Sequence, residues 1–260
     1  MPGRPACYDA VMPTAAPCFS ARSLKFLRAL KRNNDRAWFH EHRADYDTHV
    51  HAPMLAVVEQ LAVDLPRVAP GFAAGARISM FRPWRDTRFS ANQAPLKTHV
   101  AAVFPFRSMA RLEGASLYFE VAPEHVWMGG GLYSPDAPTL HAVRTHVAER
   151  HRELARLVSR PPFKKLLGTM QGEQATRMPR GFDAAHPAAE WLRHKQFLAA
   201  REETPDFAAR ADFYPQLLAT LKAMAPFVAF LNEPILERRR LADRDPLAAE
   251  IAASSRRRRP

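Results

Sequence analysis

The sequence predicts a single α+β domain in which a mainly antiparallel sheet is flanked by N-terminal and C-terminal helices. Helical periodicity extends to about residue 65, short segments rich in β-branched and aromatic residues follow, and helical periodicity returns near Thr139. The central segments have no helices between them, so antiparallel pairing is expected. With 260 residues, of which 47% are hydrophobic, the chain is long and apolar enough for one large core.

The N-terminal helices are marked by capping residues and apolar stripes. Ser20 is a suitable N-cap for a first helix. Asn33-Asn34-Asp35 predicts a turn and the N-cap of a second, longer helix that ends before Pro66. The first stripe consists of Leu24, Leu27 and Leu30, and the second consists of Phe39, Tyr46, Val50, Met54, Val57, Leu61 and Leu65.

The central region is expected to form short strands bounded by turn-prone residues such as Pro83, Gly114 and Pro123. The link between Val121 and Val126 is short enough for a hairpin. The predicted strands cover residues 78–81, 99–106, 117–121 and 126–128.

The C-terminal region is expected to be helical again. One helix begins near Thr139 and is expected to stop at Pro161, and others are predicted at residues 163–170, 188–200 and 214–236. Pro226 is expected to kink or divide the last of these. The sequence contains no internal repeat and no linker to a second domain, so the domain is expected to span residues 20–237.

The two ends of the chain differ from the domain. Residues 1–19 carry four prolines and lack periodicity, which predicts a disordered leader, and residues 238–260 predict a basic, flexible tail. Both cysteines, Cys7 and Cys18, lie in the leader, so a disulfide framework or a cysteine-ligated zinc site in the core is excluded. Neither a signal peptide nor a long apolar run is present, so no membrane partner is expected and a cytoplasmic location is predicted.

Positive charge is not confined to the tail. The formal net charge is +12. Residues 238–260 contribute +5 through eight arginines and three acidic residues, and residues 1–19 contribute zero, so residues 20–237 carry +7. A basic domain favours anionic partners such as nucleotides, phosphorylated small molecules or nucleic acid. An arginine-rich composition typical of a GC-rich genome explains the same charge equally well.

The densest group of candidate ligand-binding residues lies between positions 82 and 97. The planar guanidinium of arginine suits carboxylate or phosphate ligands, a neighbouring aspartate can hold one guanidinium in place, and aromatic rings can stack on a base. An ion-paired loop with packed aromatic residues is the alternative. The candidate ligand-binding residues are Arg82, Arg85, Arg88 and Lys97, accompanied by Asp86, Trp84 and Phe89.

Motifs along most of the chain resemble one known family. The most specific is the string Arg-x-x-Arg-Asp-x-Arg-Phe-Ser, which begins at Arg82. The other motifs, in chain order, are Asn33-Asn34 with Trp38-Phe39, Pro95-x-Lys97-Thr98, Gly129-Gly130-Gly131-Leu132-Tyr133 with Pro135, and His186-Pro187 with Leu192 and Lys195. Together they resemble the bacterial and fungal family known as domain of unknown function 2461, over roughly residues 20–236.

The resemblance implies a shared fold and a site at the arginine string, and it adds Tyr133 to the candidate ligand-binding residues. It brings no established activity. The chain departs from the family at residues 92–97, where relatives usually carry an Asp-Lys-Thr-Pro-Tyr-Lys run. A basic and an aromatic group are missing there, so any role that they play in relatives does not transfer.

Gly129, Gly130 and Gly131 form a second candidate site. They follow a predicted strand and precede the helix near Thr139, and backbone amides in a glycine loop beside a helix N-terminus can bind phosphate. Neither the dinucleotide-binding fingerprint nor the P-loop pattern is present. A bulge or a close approach of two backbone segments is the alternative.

Catalytic groups are harder to assign from the sequence. Asp86 and Glu120 are candidates for acid–base or metal chemistry, but the sequence does not show whether they lie together. His42, Asp45 and His49 share a helix face, yet their spacing also fits a solvated polar face, so no metal site is predicted. No nucleophile motif is present, and a cofactor stays unidentified.

These observations leave three hypotheses. In the leading one, the domain binds a phosphorylated small molecule or nucleotide at the arginine string, and whether that ligand is turned over stays open. In the second, the basic body and residues 256–259 bind nucleic acid without sequence preference. In the third, the arginines form an internal ion-pair network and function depends on an unidentified partner.

Overall fold

The computed structural model describes residues 16–88 and 90–244. The predicted disordered leader therefore lies mostly outside the described residues, as do Cys7, Phe89 and residues 245–260 of the predicted tail. Phe19, the leader's last residue, is described and is buried against Phe213. Its backbone N–H donates to the carbonyl of Ala208 at 2.9 Å.

The first two helices begin at the predicted caps. Ser20 and Ser23 form a reciprocal capping box at the start of α1 (Ala21–Arg32). Asp35 accepts hydrogen bonds from the first-turn amides of α2 (Arg36–Glu41).

The rest of the predicted long helix is made of three pieces. After His42 come α3 (Arg43–Tyr46), a π-helical turn (Asp47–His51) and α4 (Ala52–Val68). Pro66 lies inside the last turn of α4 and does not end it.

Four strands form one antiparallel sheet in the order β1-β2-β3-β4. The strands are β1 (Val100–Pro105), β2 (Ser116–Val121), β3 (Val126–Leu132) and β4 (Phe197–Glu203). The second and third strands form the predicted hairpin, in which Val121 pairs with Val126.

Two predictions about individual elements are wrong. Residues 78–81 form the end of a short helix, α5 (Ala76–Ser79), followed by a single bridge between Met80 and Ala102. Ile78 is 46% exposed, so this β-branched residue does not lie in a buried strand. The second error lies in the C-terminal part of the helix predicted at residues 188–200. Ala189–Leu192 are helical, but residues 197–203 form β4. Pairing with β3 outweighs the helix propensity of the Ala, Arg and Glu residues in β4.

The C-terminal region is helical as expected, with β4 inserted into it. Its helices are α6 (Ala137–Glu149), α7 (His151–Ser159), α8 (Pro161–Leu167), α9 (Ala189–Leu192), a 3₁₀ helix (Pro205–Ala209) and α10 (Phe213–Arg244). Pro161 occupies the first turn of α8, where its missing N–H is tolerated. Pro226 does not divide α10, and residues 238–244 of the predicted tail are helical.

Alternation along β2 gives the sheet two different faces. Phe119 points into the core, where its ring meets that of Phe213 on α10. Tyr118 and Glu120 project from the opposite face. Trp127 of β3 lies beside Glu120 in the sheet register, and all three residues are only partly buried. We call this second side of the sheet the open face.

The predicted α+β fold is thus confirmed. N-terminal and C-terminal helices flank the first three strands in the chain, and β4 lies among the C-terminal helices. In the part of the chain that the structure describes, no helix is both long and apolar enough to cross a membrane.

Candidate functional site

The segment predicted as the site folds back on itself as a short hairpin. The N–H of Lys97 donates to the carbonyl of Pro83 at 2.7 Å, and the N–H of Arg85 donates to the carbonyl of Pro95 at 2.9 Å. A β-bridge lies between these two hydrogen bonds. We call residues 82–97 the arginine hairpin.

Asn34 attaches the arginine hairpin to the N-terminal helices. Its Oδ1 accepts a hydrogen bond from the N–H of Leu96 at 3.0 Å, and its Nδ2 donates to the carbonyl of Leu96 at 2.9 Å. One side-chain amide thereby satisfies both backbone groups of a buried residue. Trp84 packs edge-on against Phe39 at 5.6 Å between ring centroids. Two residues of the family motifs, Asn34 and Phe39, therefore support the hairpin.

The tip of the arginine hairpin holds a two-pronged ion pair. Oδ1 of Asp86 accepts a hydrogen bond from Nε of Arg88 at 3.0 Å, and Oδ2 accepts one from Nη2 at 2.7 Å. These hydrogen bonds lower the pKa of Asp86 to about 2. The side chains of Asp86 and Arg88 are 61% and 77% exposed, so this pair lies in solvent.

Arg85 contacts the arginine hairpin itself. Its Nη1 donates to the carbonyl of Ala94 at 3.3 Å, and its Nη2 donates to Oγ of Ser90 at 3.4 Å. A shallow pocket of about 320 Å³ lies beside it, with Arg36 and Trp84 among its lining residues. Arg85 thus braces the loop and borders a small depression.

Two of the predicted cations belong to a different group, near the sheet. Nζ of Lys97 lies 4.6 Å from the centroid of the Phe81 ring, and Cζ of Arg111 lies 4.4 Å from the same centroid. Burial lowers the pKa of Lys97, and the charges of Arg111 and Arg82 lower it further. We call Arg82, Lys97 and Arg111 the basic cluster.

Among the residues that the structure describes, the basic cluster lacks acidic partners. Within the described residues, no carboxylate forms a salt bridge with Arg82, Lys97 or Arg111. Arg111 is held by a hydrogen bond from Nη2 to the carbonyl of Met80 at 2.5 Å. Its buried Nε has no acceptor among the described residues. A cation–π contact to Phe81 holds both Lys97 and Arg111 in place despite their mutual repulsion.

Glu120 is the centre of a hydrogen-bond network on the open face. Oε2 accepts a hydrogen bond from the Tyr118 hydroxyl at 2.5 Å, and Oε1 lies 2.8 Å from Nε2 of His125. Nε2 of His99 lies 3.6 Å from Oε2. The two imidazoles are about one third exposed, so a ligand can reach them. We call these four residues the Glu120 network.

The surroundings shift the pKa values of Glu120, His99 and Tyr118. Burial favours a higher pKa for Glu120, but hydrogen bonds from Tyr118 and His125, together with the two imidazoles, leave its pKa below the ordinary 4.5. Burial lowers the pKa of His99 below 6.5, and Lys97 lowers it further, although Glu120 acts in the opposite direction. Burial and the charge of Glu120 raise the pKa of Tyr118. The network therefore contains a charged carboxylate, a neutral His99 and a protonated tyrosine.

The basic cluster and the Glu120 network occupy the same face of the sheet. The ring of Phe81, which carries the cations, lies 6.3 Å from the Tyr118 ring, and the Tyr118 ring lies 5.6 Å from Trp127. The charge of Lys97 also acts on His99. A row of aromatic rings therefore connects the cations with the carboxylate.

The structure thus divides the predicted site into two groups. Arg82 and Lys97 belong to the open face, whereas Arg85 contacts its own loop and Arg88 pairs with Asp86 at the tip. Asp86 and Glu120 do not form the carboxylate pair considered from the sequence, because they have separate sets of partners.

The predicted glycine loop is wrong. Gly129, Gly130 and Gly131 lie within β3, paired with β2 on one side and β4 on the other, so their amides are not presented by a loop. A Cβ atom would lie 2.2 Å from the Ser116 carbonyl oxygen at Gly130 and 2.0 Å from that of Phe197 at Gly131. The glycines permit a close approach of three strands, which was the alternative explanation.

Tyr133, which directly follows β3, is 69% exposed. It lies close enough to Tyr118 to contribute to the raised pKa of that residue. Tyr133 therefore borders the open face.

Several residues of the open face were not predicted. Tyr118, His99, His125 and Arg111 lack a motif. Strand alternation alone predicts one of these contacts. Residues at i and i+2 of a strand share a face, so Tyr118 lies beside Glu120. The hairpin turn then returns residue 125 to the same end of β2, where the carbonyl of His125 accepts a hydrogen bond from Ala122. No sequence pattern in the connection between β1 and β2 indicates that Arg111 belongs to the open face.

A histidine in the segment predicted as the second, longer helix packs against an aromatic ring. His42 stacks on Trp38 with a centroid distance of 4.2 Å. Among the described residues, no group of three or more His, Cys, Asp or Glu side chains is arranged to hold a metal ion.

Comparisons with known proteins identify the family. No curated protein and no solved structure matches the chain. The model of one family, described as conserved hypothetical protein (DUF2461), matches residues 22–230. This match covers both sides of the sheet and the arginine hairpin, and it extends into α10. The chain belongs to the DUF2461 family of conserved hypothetical proteins.

Proposed function

We propose that this protein binds a phosphate-bearing small molecule or nucleotide on the open face, with the basic cluster as its anion-binding groups. The observation that supports this most directly is the position of Lys97 and Arg111 over the Phe81 ring, with Arg82 close enough for its charge to act on Lys97. None of the three cations has a salt-bridge partner among the described residues. Like charges at such a site repel one another, and an anionic ligand would relieve that repulsion.

The types of cation favour phosphate over a single carboxylate. Guanidinium groups form paired hydrogen bonds with phosphate oxygens, and the ammonium of Lys97 adds a point charge. Three positive charges match the charge of a phosphomonoester or diphosphate better than that of one carboxylate.

The rest of the open face suggests that the ligand also carries a ring. Phe81, Tyr118, Trp127 and Tyr133 offer aromatic surface on which a base or other planar group can stack. The Glu120 network offers hydrogen-bonding groups beside them. In this proposal Glu120 and His125 orient the ligand, and turnover is not required.

A thermal unfolding assay with inorganic pyrophosphate, and separately with AMP, tests the proposal. A ligand that binds only the folded chain stabilises it by about 2.7 kcal/mol at one hundred times its Kd. We expect the Tm of the wild-type protein to rise with either ligand. Lys97→Gln and Arg111→Gln should each reduce that rise strongly.

Two control variants distinguish the open face from nonspecific charge effects. Lys164→Gln removes an exposed lysine on α8, and Arg88→Gln removes the cation at the tip of the arginine hairpin. Both should respond to pyrophosphate as the wild type does. The proposal fails if neither ligand raises the Tm, or if the Lys164 control loses as much of the response as the Lys97 variant.

A further inference from the structure

A groove of about 630 Å³ lies between α8 and α10. Its floor is one side of α10, where small residues recur at positions 219, 223, 226 and 229 with helical spacing. Phe163 of α8 is among the residues of its walls, together with Phe72 and Phe106 from the segments after α4 and β1. The groove exists because alanine and proline on α10 leave room that larger side chains would fill.

The lining of the groove is typical of a small-molecule site. Pockets for such ligands usually measure about 300–1,000 Å³ and are mostly apolar, with a few polar groups that fix orientation. This groove falls within that range, and its lining is apolar except for two residues, Arg160 and Lys222. No residue of the open face lines it.

The two charged lining residues have the same sign. Arg160 and Lys222 are both exposed, and neither side chain forms a salt bridge within the described part of the chain. No acidic residue in the described part of the chain lines the groove. An apolar surface with cations at its border is complementary to a molecule with an apolar body and one anionic group.

We propose that this groove binds an amphipathic anion, specifically a long-chain carboxylate. Its alkyl chain would lie along the small residues of α10, and its carboxylate would pair with Arg160 and Lys222. Burial of the alkyl chain supplies most of the affinity, since removal of apolar surface from water is favourable, and the cations select the sign of the head group. This site is separate from the open face and does not depend on the function proposed for it.

Calorimetric titration with dodecanoate below its micelle concentration tests the proposal. We expect saturable binding to the full chain. Dodecyltrimethylammonium, which has the same chain and the opposite charge, should bind more weakly. Absence of saturable dodecanoate binding, or equal binding of both compounds, would overturn the proposal.

Variants locate the bound chain. Ala223→Leu fills the floor of the groove and should weaken dodecanoate binding about tenfold or more, whereas Ala142→Leu, on α6 outside the groove, should not. Ala219→Leu provides a second test at an exposed position of the floor, in case Ala223→Leu does not fold. Wild-type affinity in a folded Ala223 or Ala219 variant would contradict the assignment.

A second pair of variants tests the head group. Lys222→Gln and Arg160→Gln should each weaken dodecanoate binding about two- to fivefold, as expected for an exposed ion pair. Lys164→Gln, the matched control on α8, and Lys97→Gln on the open face should leave it unchanged. Equal effects of Lys222→Gln and Lys164→Gln would show that only overall charge matters and would overturn the assignment of the head group.

Discussion

Asn34 is the residue whose side chain connects the arginine hairpin with the helical part of the domain. We predict that Asn34→Ala lowers the free energy of unfolding by about 1–3 kcal/mol, because both backbone groups of buried Leu96 lose their partner. Urea denaturation measures this change. Asn33→Ala is the matched control, because Asn33 donates only to the carbonyl of Ala29 at an exposed helix end. Equal losses in the two variants would contradict the role given to Asn34.

His99 reports on both halves of the open face, because Lys97 and Glu120 shift its pKa in opposite directions. We predict that Lys97→Gln raises the pKa of His99 towards 6.5 and that Glu120→Gln lowers it further. Titration of the His99 imidazole by NMR measures both. Lys164→Gln should leave the titration unchanged. If the Lys97 and Glu120 variants shift the pKa in the same direction, the proximity of these groups is wrong.

The sign of the pH effect on stability follows from the same shift. The folded-state pKa of His99 lies below its ordinary value of 6.5, so the unfolded chain binds the proton more readily. The stabilisation that neutral His99 provides is present above pH 6.5 and is lost as the pH falls through the folded-state pKa. Lys97→Gln should therefore make the free energy of unfolding less dependent on pH just below 6.5.

The third strand carries the closest backbone packing of the sheet. Gly131 has φ +124°, and a Cβ atom there would lie 2.0 Å from the carbonyl oxygen of Phe197. We predict that Gly131→Ala lowers the free energy of unfolding by about 2 kcal/mol or more, since strain and overlap add. Gly168→Ala is the control: its φ is +69° but no atom lies within 4 Å, so a loss of roughly 1 kcal/mol is expected. Urea denaturation of both variants measures the difference, and equal losses would contradict it.

The elements that the sequence predicted well are those with local signals. Ser20 and Asp35 are caps whose side chains bond their own helices, and the β2–β3 hairpin has a short turn between apolar runs. The elements that it missed depend on distant partners. β4 consists of residues that favour helix, and it becomes a strand because β3 offers an edge far away in sequence. Met80 likewise joins the sheet only through Ala102.

Within the arginine hairpin, residues that are close in sequence have two separate roles in the structure. Local composition predicted one site from Arg82 to Lys97, but the antiparallel pairing of its two arms brings these two residues together at the base. The same pairing carries Asp86 and Arg88 away to the tip. Which arginine faces the sheet depends on the hydrogen bonds at the base, and Asn34, from another part of the chain, binds Leu96 between them.

At the scale of the whole molecule, the open face is assembled from separate segments. Lys97 comes from the arginine hairpin, Arg111 from the connection between β1 and β2, and Glu120 from the C-terminal end of β2. Glu120 was a candidate by residue type alone, and Arg111 was not a candidate at all. Sequence reasoning identified the most charged segment, but only the sheet register shows which other side chains surround it.

Nucleic-acid binding through the last residues is a second prediction from the net charge, and a truncated protein tests it separately from the open face. Removing residues 245–260 takes away four arginines, Asp245 and Glu250, and reduces the net charge from +12 to +10. If residues 256–259 contact phosphates, affinity for duplex DNA should fall, and the slope of log K against log salt concentration should become shallower by about 3–4. Fluorescence anisotropy over a range of salt concentrations measures both.

The same truncated protein should still be stabilised by pyrophosphate, because the basic cluster is intact. Lys97→Gln in the full chain should show the reverse pattern, with pyrophosphate stabilisation lost and most DNA binding kept, since one lysine adds at most one phosphate contact to the salt dependence. Loss of both responses on truncation would assign all anion binding to the tail and contradict a site on the open face. Loss of both in the Lys97 variant would instead mean that DNA and small anions compete for the basic cluster.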